Sequence, residues 1–291
     1  FLTSNSTAAE GANGVGGTTV TVNADGMQIE ESTIGAGELY FNGRTYVMWN
    51  WKANGSGAAN TEGSINTTKT SANVDSGFSI ITYTGNATEG ATLGHGLNKA
   101  PEMIWVKTRA SGGWQVYHSG NTSEPETDEL NLEVTEATQD SDNIWDDTAP
   151  TATVFSLGNN AAVNANNVTF VAFLWHSVEG YSKFGNYTGT GNADGPFVYL
   201  GFEPAFLLTK RTDDADNWRL TDNARDPFNN GAIGGLKANA TDSESDTGNR
   251  NFDYLSNGFK VRETDVDMNA DGGNYIYMAF AEVPLKYASA R

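Results

Sequence analysis

The chain has no cysteine, three histidines and seven prolines, and its 17 lysines and arginines stand against 36 aspartates and glutamates. Each shortage excludes something. Without cysteine there are no disulfides, thiolate metal sites or thiol catalysis, although a domain of this size folds without staples in any compartment. A formal charge of −19 argues against nucleic acid and anionic membrane surfaces as partners, since both call for basic patches. No apolar run approaches the ~18 residues of a bilayer-spanning helix, so no membrane insertion is expected. No long stretch is rich in Ala, Glu, Lys and Leu, which excludes a coiled coil. The first residue is Phe, and no charged segment followed by an apolar one opens the chain as a secretory signal would. That end is read as a processed or partial one.

What is abundant points one way. Gly (33), Asn (31) and Thr (32) make up a third of the 291 residues. Gly and Asn suit tight turns and Thr suits strands, so the composition implies β structure with many connections. The 32 aromatic residues are spread along the chain and need a core, which excludes disorder. At roughly 100–200 residues per domain, the length fits two domains or one large all-β unit.

An internal repeat of about 104 residues decides between these. Phe78-Ser-Ile-Ile-Thr-Tyr83-Thr84-Gly85 recurs as Tyr181-Ser-Lys-Phe-Gly-Asn-Tyr187-Thr188-Gly189. Ala100-Pro101-Glu-Met-Ile-Trp-Val-Lys107 pairs with Glu203-Pro204-Ala-Phe-Leu-Leu-Thr-Lys210, Trp114 with Trp218, and Phe155 with Phe259. Both copies close on apolar runs, Thr169-Phe-Val-Ala-Phe-Leu-Trp175 and Asn274-Tyr-Ile-Tyr-Met-Ala-Phe280. A third echo, Thr45-Tyr-Val-Met-Trp-Asn-Trp51, reads as the closing strand of a further repeat whose earlier part is absent or diverged. Runs of four to seven residues alternate with turn clusters, among them 197–200, 205–210, 218–221, 258–262 and 274–280, and none holds a helical period. The closing runs are apolar on both faces and are therefore expected at sheet centres, covered on both sides.

The expected fold is all-β: two tandem β-sandwich or jelly-roll-like repeats after a short β-rich N-terminal segment. Its parts are 1–52 (the N-terminal segment, ending in the partial repeat strand), 53–178 and 179–291. The first part carries β-like runs at 18–22 and 38–41 joined by a turn at 23–26, and 51–76 reads as a long loop. The junction at 178–181 has no Pro- or Ser-rich spacer, so the repeats should pack rather than swing.

Candidate chemistry is sparse. His95, His118 and His176 have no histidine opposite them in the other copy and read as structural or surface residues. Asp265, Asp267, Asn269 and Asp271 place oxygens at alternate positions before Gly272, as the opening of a calcium loop does. However, Met278 stands where such a loop needs a bidentate Glu, and Asn-Ala-Asp-Gly recurs at 23–26 and 192–195 as a plain turn. Calcium is therefore the one cofactor suggested, with a turn as the simpler reading. Trp114 and Trp218 fit either core packing or flat rings that stack on sugars. Nothing assembles a catalytic set, so an enzyme is not expected.

The string Trp51-Lys-Ala-Asn-Gly, then Gly77-Phe-Ser-Ile-Ile-Thr-Tyr-Thr-Gly85, resembles a recurrent phage module. So do Glu179-Gly-Tyr-Ser-Lys-Phe-Gly-Asn-Tyr-Thr-Gly189, Ala193-Asp-Gly-Pro-Phe-Val-Tyr-Leu-Gly-Phe202, Leu255-Ser-Asn-Gly-Phe-Lys260 and Tyr275-Ile-Tyr-Met-Ala-Phe-Ala-Glu282. Over roughly 45–286 the chain is similar to the duplicated β-rich domain of structural and tail-fibre-like virion proteins of tailed bacteriophages, marine ones especially. The resemblance implies a non-enzymatic protein on the virion exterior that contacts the host surface. It further implies a homo-oligomer, with a trimer favoured, other virion proteins as partners and a host-surface glycan as ligand. Capsid decoration or a head fibre is the alternative role, and a polysaccharide-binding or -degrading module is the third. The family carries over no catalytic or binding residues.

Overall fold

The closing runs have no polar face to give to water, and each becomes the middle of a sheet. In the computed structural model, which describes residues 2–11, 18–23, 26–31, 45–225, 229, 235–244 and 252–282, the protein is nearly all-β. An antiparallel hairpin, β1 (Thr18–Asn23) and β2 (Gly26–Glu31), comes first. Next are β3 (Lys69–Asn73), β4 (Phe78–Thr84), β5 (Ala91–Gly94), β6 (Met103–Thr108), β7 (Trp114–His118), β8 (Asp128–Asn131) and β9 (Gln139–Asp140). Then come β10 (Val154–Leu157), a one-turn helix α1 (Ala161–Asn164) and β11 (Thr169–Trp175). The later elements are β12 (Ser182–Thr188), β13 (Phe197–Tyr199), β14 (Pro204–Arg211), β15 (Arg219–Asp222) and β16 (Leu236–Lys237). They close with β17 (Phe252–Leu255), β18 (Gly258–Val261), the turn α2 (Val266–Asn269) and β19 (Asn274–Ala281).

The two large sheets are wired alike. The seven-stranded one has the order β3-β4-β11-β6-β7-β8-β9, and the five-stranded one β12-β19-β14-β15-β16. Each has a small sheet across one face, β10-β5 on the first and β13-β18-β17 on the second. β11 is thus flanked by β4 and β6, and β19 by β12 and β14.

Alternation along each strand sorts side chains into three apolar layers. Ile81, Tyr83, Ile104, Phe170, Ala172 and Leu174 point from the first sheet towards Leu93, Trp145 and Phe155. Their neighbours Phe78, Met103, Trp114 and Trp175 point the other way and meet Phe184, Phe206, Trp218, Met278 and Phe280 of the second sheet. From the back of that sheet, Tyr187, Leu207, Tyr275 and Tyr277 meet Val198, Tyr254 and Phe259. The middle layer is therefore shared between the two sheets. At about 1.5–3 kcal/mol per fully buried large apolar side chain, it resists hinge motion. The tight turn expected at 178–181 is present, with Val178 bridging Ser182.

The recurring Tyr-Thr-Gly motif has a physical reason in both places. Tyr83 Oη donates to Val163 O at 2.7 Å, and Tyr187 Oη donates to Met268 O at 2.9 Å, each tying a strand end to the one-turn helix. The glycine that follows lets that turn close in. A Cβ on Gly85 would lie 2.4 Å from Ala165 O, and one on Gly189 would lie 2.3 Å from Ala270 O.

Two expectations shift. The loop expected over 51–76 ends in the edge strand β3, which pairs with β4. Its sequence, Lys-Thr-Ser-Ala-Asn, has Thr70 as its one β-branched residue and no aromatic or large apolar one, so little but the backbone ladder signals a strand. The run 38–41 lies outside the described residues, as do Ala24 and Asp25 of the turn at 23–26.

Candidate functional site

The two tryptophans singled out as sugar-stacking candidates are inside. Trp114 is 5% exposed and Trp218 0%, so the stacking role is corrected to core packing, with Trp114 also contributing to the wall of a groove on the first sheet. Each indole N–H reaches a backbone carbonyl, Trp114 Nε1 that of Thr3 at 3.0 Å and Trp218 Nε1 that of Asn131 at 2.9 Å.

Those carbonyls belong to two straps that cross equivalent corners. At the first corner, Lys107 Nζ donates to Ala8 O (3.2 Å), Gly112 N to Thr7 O (2.8 Å), and Glu10 N to Arg109 O (2.9 Å). At the second, Lys210 Nζ donates to Thr135 O (3.4 Å), Asp216 N to the same oxygen (2.7 Å), and Thr138 N to Thr212 O (2.9 Å). Segment 3–10 thus does for β6–β7 what segment 131–138 does for β14–β15. Both ammonium groups are buried and also bond the carbonyl of the next residue, Thr108 or Arg211. Burial lowers the Lys107 pKa, with Glu133 opposing, and takes that of Lys210 down to about 8, with Asp216 opposing.

The alternating acids have local work. Asp265 caps α2 by accepting from Asp267 N at 3.0 Å. Asp267 forms a buried ion pair with Arg219. Asn269 Nδ2 donates to Asn192 O (2.7 Å) and to Glu263 O, while its Oδ1 accepts from Thr190 N (2.7 Å). Asp271 is exposed. In the first repeat, Asn160 caps α1 and Asn164 bonds Thr88 O, Gly158 O and Asn86 N in the same way. Among the described residues no cluster of three or more His, Asp or Glu is gathered as a metal would need.

All three histidines are buried. His118 Nε2 faces Tyr277 O at 3.1 Å across the two sheets, and desolvation lowers its pKa to about 4. His95 sits against Thr151 O and Leu97 N, and His176 against Ser177 O.

What the surface offers lies elsewhere. β13 turns Val198 inward and its two neighbours outward, leaving Phe197 45% and Tyr199 60% exposed. Lys183 Nζ sits 5.4 Å from the Tyr199 ring centroid and donates to Tyr199 O at 2.6 Å, which holds that ring beside a cation. The signal was in the sequence as alternation, Phe-Val-Tyr after Gly195-Pro196, but an apolar run this short reads equally as a fully covered strand. A second feature is a groove of about 580 Å³ on the first sheet, where Thr82, Val171 and Phe173 lie beside Leu2 and the Glu10–Arg109 ion pair.

A family model described as "Domain of unknown function (DUF7483)" matches residues 1–284, a span that takes in the N-terminal segment and both large sheets. The chain belongs to this family. Neither the curated proteins nor the solved structures contain a match.

Proposed function

We propose that this DUF7483 protein is a non-enzymatic structural protein of a bacteriophage virion, an exterior appendage of tail-fibre type that contacts the host surface. It is built from two copies of one β-sandwich unit and assembles with further copies and other virion proteins. The motif string over 45–286 and the matched wiring of the two sheets support this reading. The observation that carries the contact role is the outward pair Phe197 and Tyr199 on a strand whose other face is buried. Two rings on one face of a rigid strand, with Lys183 alongside, form a platform for the apolar faces of sugars.

The charge of −19 opposes long-range attraction to an anionic bacterial envelope, so binding rests on short-range stacking and hydrogen bonds. Binding to host cells or surface glycan is expected to hold or strengthen as salt rises from low to sea-water level, where repulsion is screened. The double variant Phe197→Ala/Tyr199→Ala should weaken that binding at least about tenfold, equivalent to ~1.4 kcal/mol, with the melting curve unchanged. Purified protein that ignores host cells and glycan but binds assembled phage shells would overturn the adhesive role in favour of capsid decoration.

A further inference from the structure

Each unit packs a large sheet on a small one, and along one side of each the two sheets present a pair of strand edges. In the first unit these edges belong to β4 and β5, and one segment, 58–73, closes both. Its arm β3 pairs with β4. Its tip lies on β5, where Ile65 N donates to Thr92 O at 3.0 Å and Thr92 N donates to Ser64 Oγ at 2.8 Å. Ile65, buried in the first apolar layer, pairs with Leu93 and plugs the gap between the two strands.

In the second unit the matching edges, β12 and β13, are open. Among the described residues β12 has β19 as its one partner strand, and β13 has β18. Ladder parity tells which main-chain groups face outward. Ala281 N donates to Tyr181 O and Gly189 N to Gly273 O, so the odd-numbered residues of β12 bond β19 and the main chains of Asn186 and Thr188 face away from it. Val261 N likewise donates to Pro196 O, which turns the N–H and C=O of Phe197 away from β18. The two edges adjoin, since Lys183 Nζ of β12 reaches Tyr199 O of β13 at 2.6 Å. The layer behind them is less tightly sealed. Tyr187 and Val198 are each 8% exposed, against 1% for Tyr83 and 0% for Leu93, their counterparts.

We propose that the open side between β12 and β13 is a docking site for an extended segment of another polypeptide chain, with the chemistry of residues 63–73. The first unit displays what such a side takes: a stretch of Gly, Ser, Asn and Thr in which Ile65 is the one large apolar residue. The occupant's backbone continues the ladders, and its branched residue fills the layer at Tyr187 and Val198. Asn60 marks one difference between the units. A Cβ on Gly94 would lie 2.0 Å from Asn60 Oδ1, and Tyr199 stands at the place of Gly94, so the occupant keeps to the strand edges and off the outward rings. The site is therefore separate from any sugar on Phe197 and Tyr199, and from a virion role. In a second copy of this chain, 58–73 is engaged on its own first unit, so the occupant is a different chain.

The probe is a synthetic peptide with the sequence of residues 63–73, added to the full chain at about 1 mM so that weak binding registers. Amide exchange at Asn186, Thr188 and Phe197 should slow at least about tenfold, because main-chain pairing takes those N–H groups out of water. The same peptide carrying Ile65→Asp should protect none of them. In the chain, Thr188→Pro deletes one outward N–H and leaves the β19 ladder intact, an edge position that tolerates proline. It should keep the melting curve unchanged and raise the peptide concentration needed at least about fivefold, the loss of one hydrogen bond. Unchanged exchange at these amides with peptide present would overturn the proposal. So would their protection in the dilute chain alone, which would mean that the chain closes its own edge. Protection that grows with protein concentration, without peptide, would also overturn it by making a second copy the occupant.

Discussion

The lysine corner at β6–β7 and the one at β14–β15 share their tryptophan, their buried ammonium and their pattern of carbonyl acceptors, but they differ in what covers them. One is crossed by the N-terminal segment, the other by a strap from the preceding unit. The straps read Thr-Ser-Asn-Ser-Thr-Ala-Ala-Glu and Asn-Leu-Glu-Val-Thr-Glu-Ala-Thr. So dissimilar a pair can serve one purpose because the bonds that matter use strap carbonyls and one amide, which any residue but proline supplies. The interiors diverge more sharply. The second unit holds a buried Arg219–Asp267 pair where the first has Gln115 and Ala162. The unit tolerates a charge pair or its neutral replacement, provided that the backbone scaffold around the one-turn helix is kept.

The contrast is broken most forcefully at that pair. Asp267→Ala should cost about 3–5 kcal/mol by stranding the Arg219 guanidinium, measured by urea unfolding. Arg219→Gln/Asp267→Ala, which imposes the first unit's solution on the second, should recover most of that loss. A double variant as unstable as the single would mean that the two interiors are not interchangeable.

Smaller effects should be equal in the two units. Tyr83→Phe and Tyr187→Phe each remove one hydroxyl and leave a buried carbonyl, Val163 O or Met268 O, without its donor. Each should cost ~1–3 kcal/mol, and the two should agree within about 0.5. A clear inequality in urea midpoints would show that the Tyr-Thr-Gly motifs do different work.

Acidity separates the corners next. Lys210 has its pKa lowered to about 8, so between pH 8 and its ordinary value near 10.5 the unfolded chain binds the extra proton. Stability should therefore rise with pH through that window, and Lys210→Met should flatten the rise. Above about pH 10 the trend should reverse, because Tyr275 and Tyr277 are raised to about 12 and ionise first in the unfolded chain. On the acid side, His118 at about 4 makes stability fall as pH drops from 6.5 towards 4. The smallest expected effect is that of chelator. With Asp265, Asp267 and Asn269 engaged in capping, ion pairing and amide bonding, the melting temperature should not move; a drop would restore calcium to the loop.

Much of this was legible in the residues. Closing runs apolar on both faces announced central strands, and the repeated landmarks Tyr83/Tyr187, Lys107/Lys210 and Trp114/Trp218 announced matching positions. Other features were hidden for physical reasons. β3 is written in Lys, Thr, Ser, Ala and Asn, and its backbone pairing, chiefly the ladder to β4, makes it a strand. The straps act through backbone atoms, which leave little trace in side-chain identity. Trp114 and Trp218 were ambiguous because a ring fit for stacking on sugar is equally fit for a core, whereas Phe197 and Tyr199 hid in a run short enough to pass for buried. The alternating Asp and Asn of 265–271 suit the opening of a metal loop and equally the capping of a helical turn, which also asks for oxygen side chains at spaced positions.

The account's central claim is that one closing run recurs three times in the sequence and that, among the described residues, two of the three are central strands of sheets. Native-state hydrogen exchange on the chain tests it directly. Amides across Thr169–Trp175 and Asn274–Ala281 should be protected close to the global unfolding limit, and those across 45–51 should exchange at least about a thousandfold faster. Equal protection in all three segments would contradict the claim.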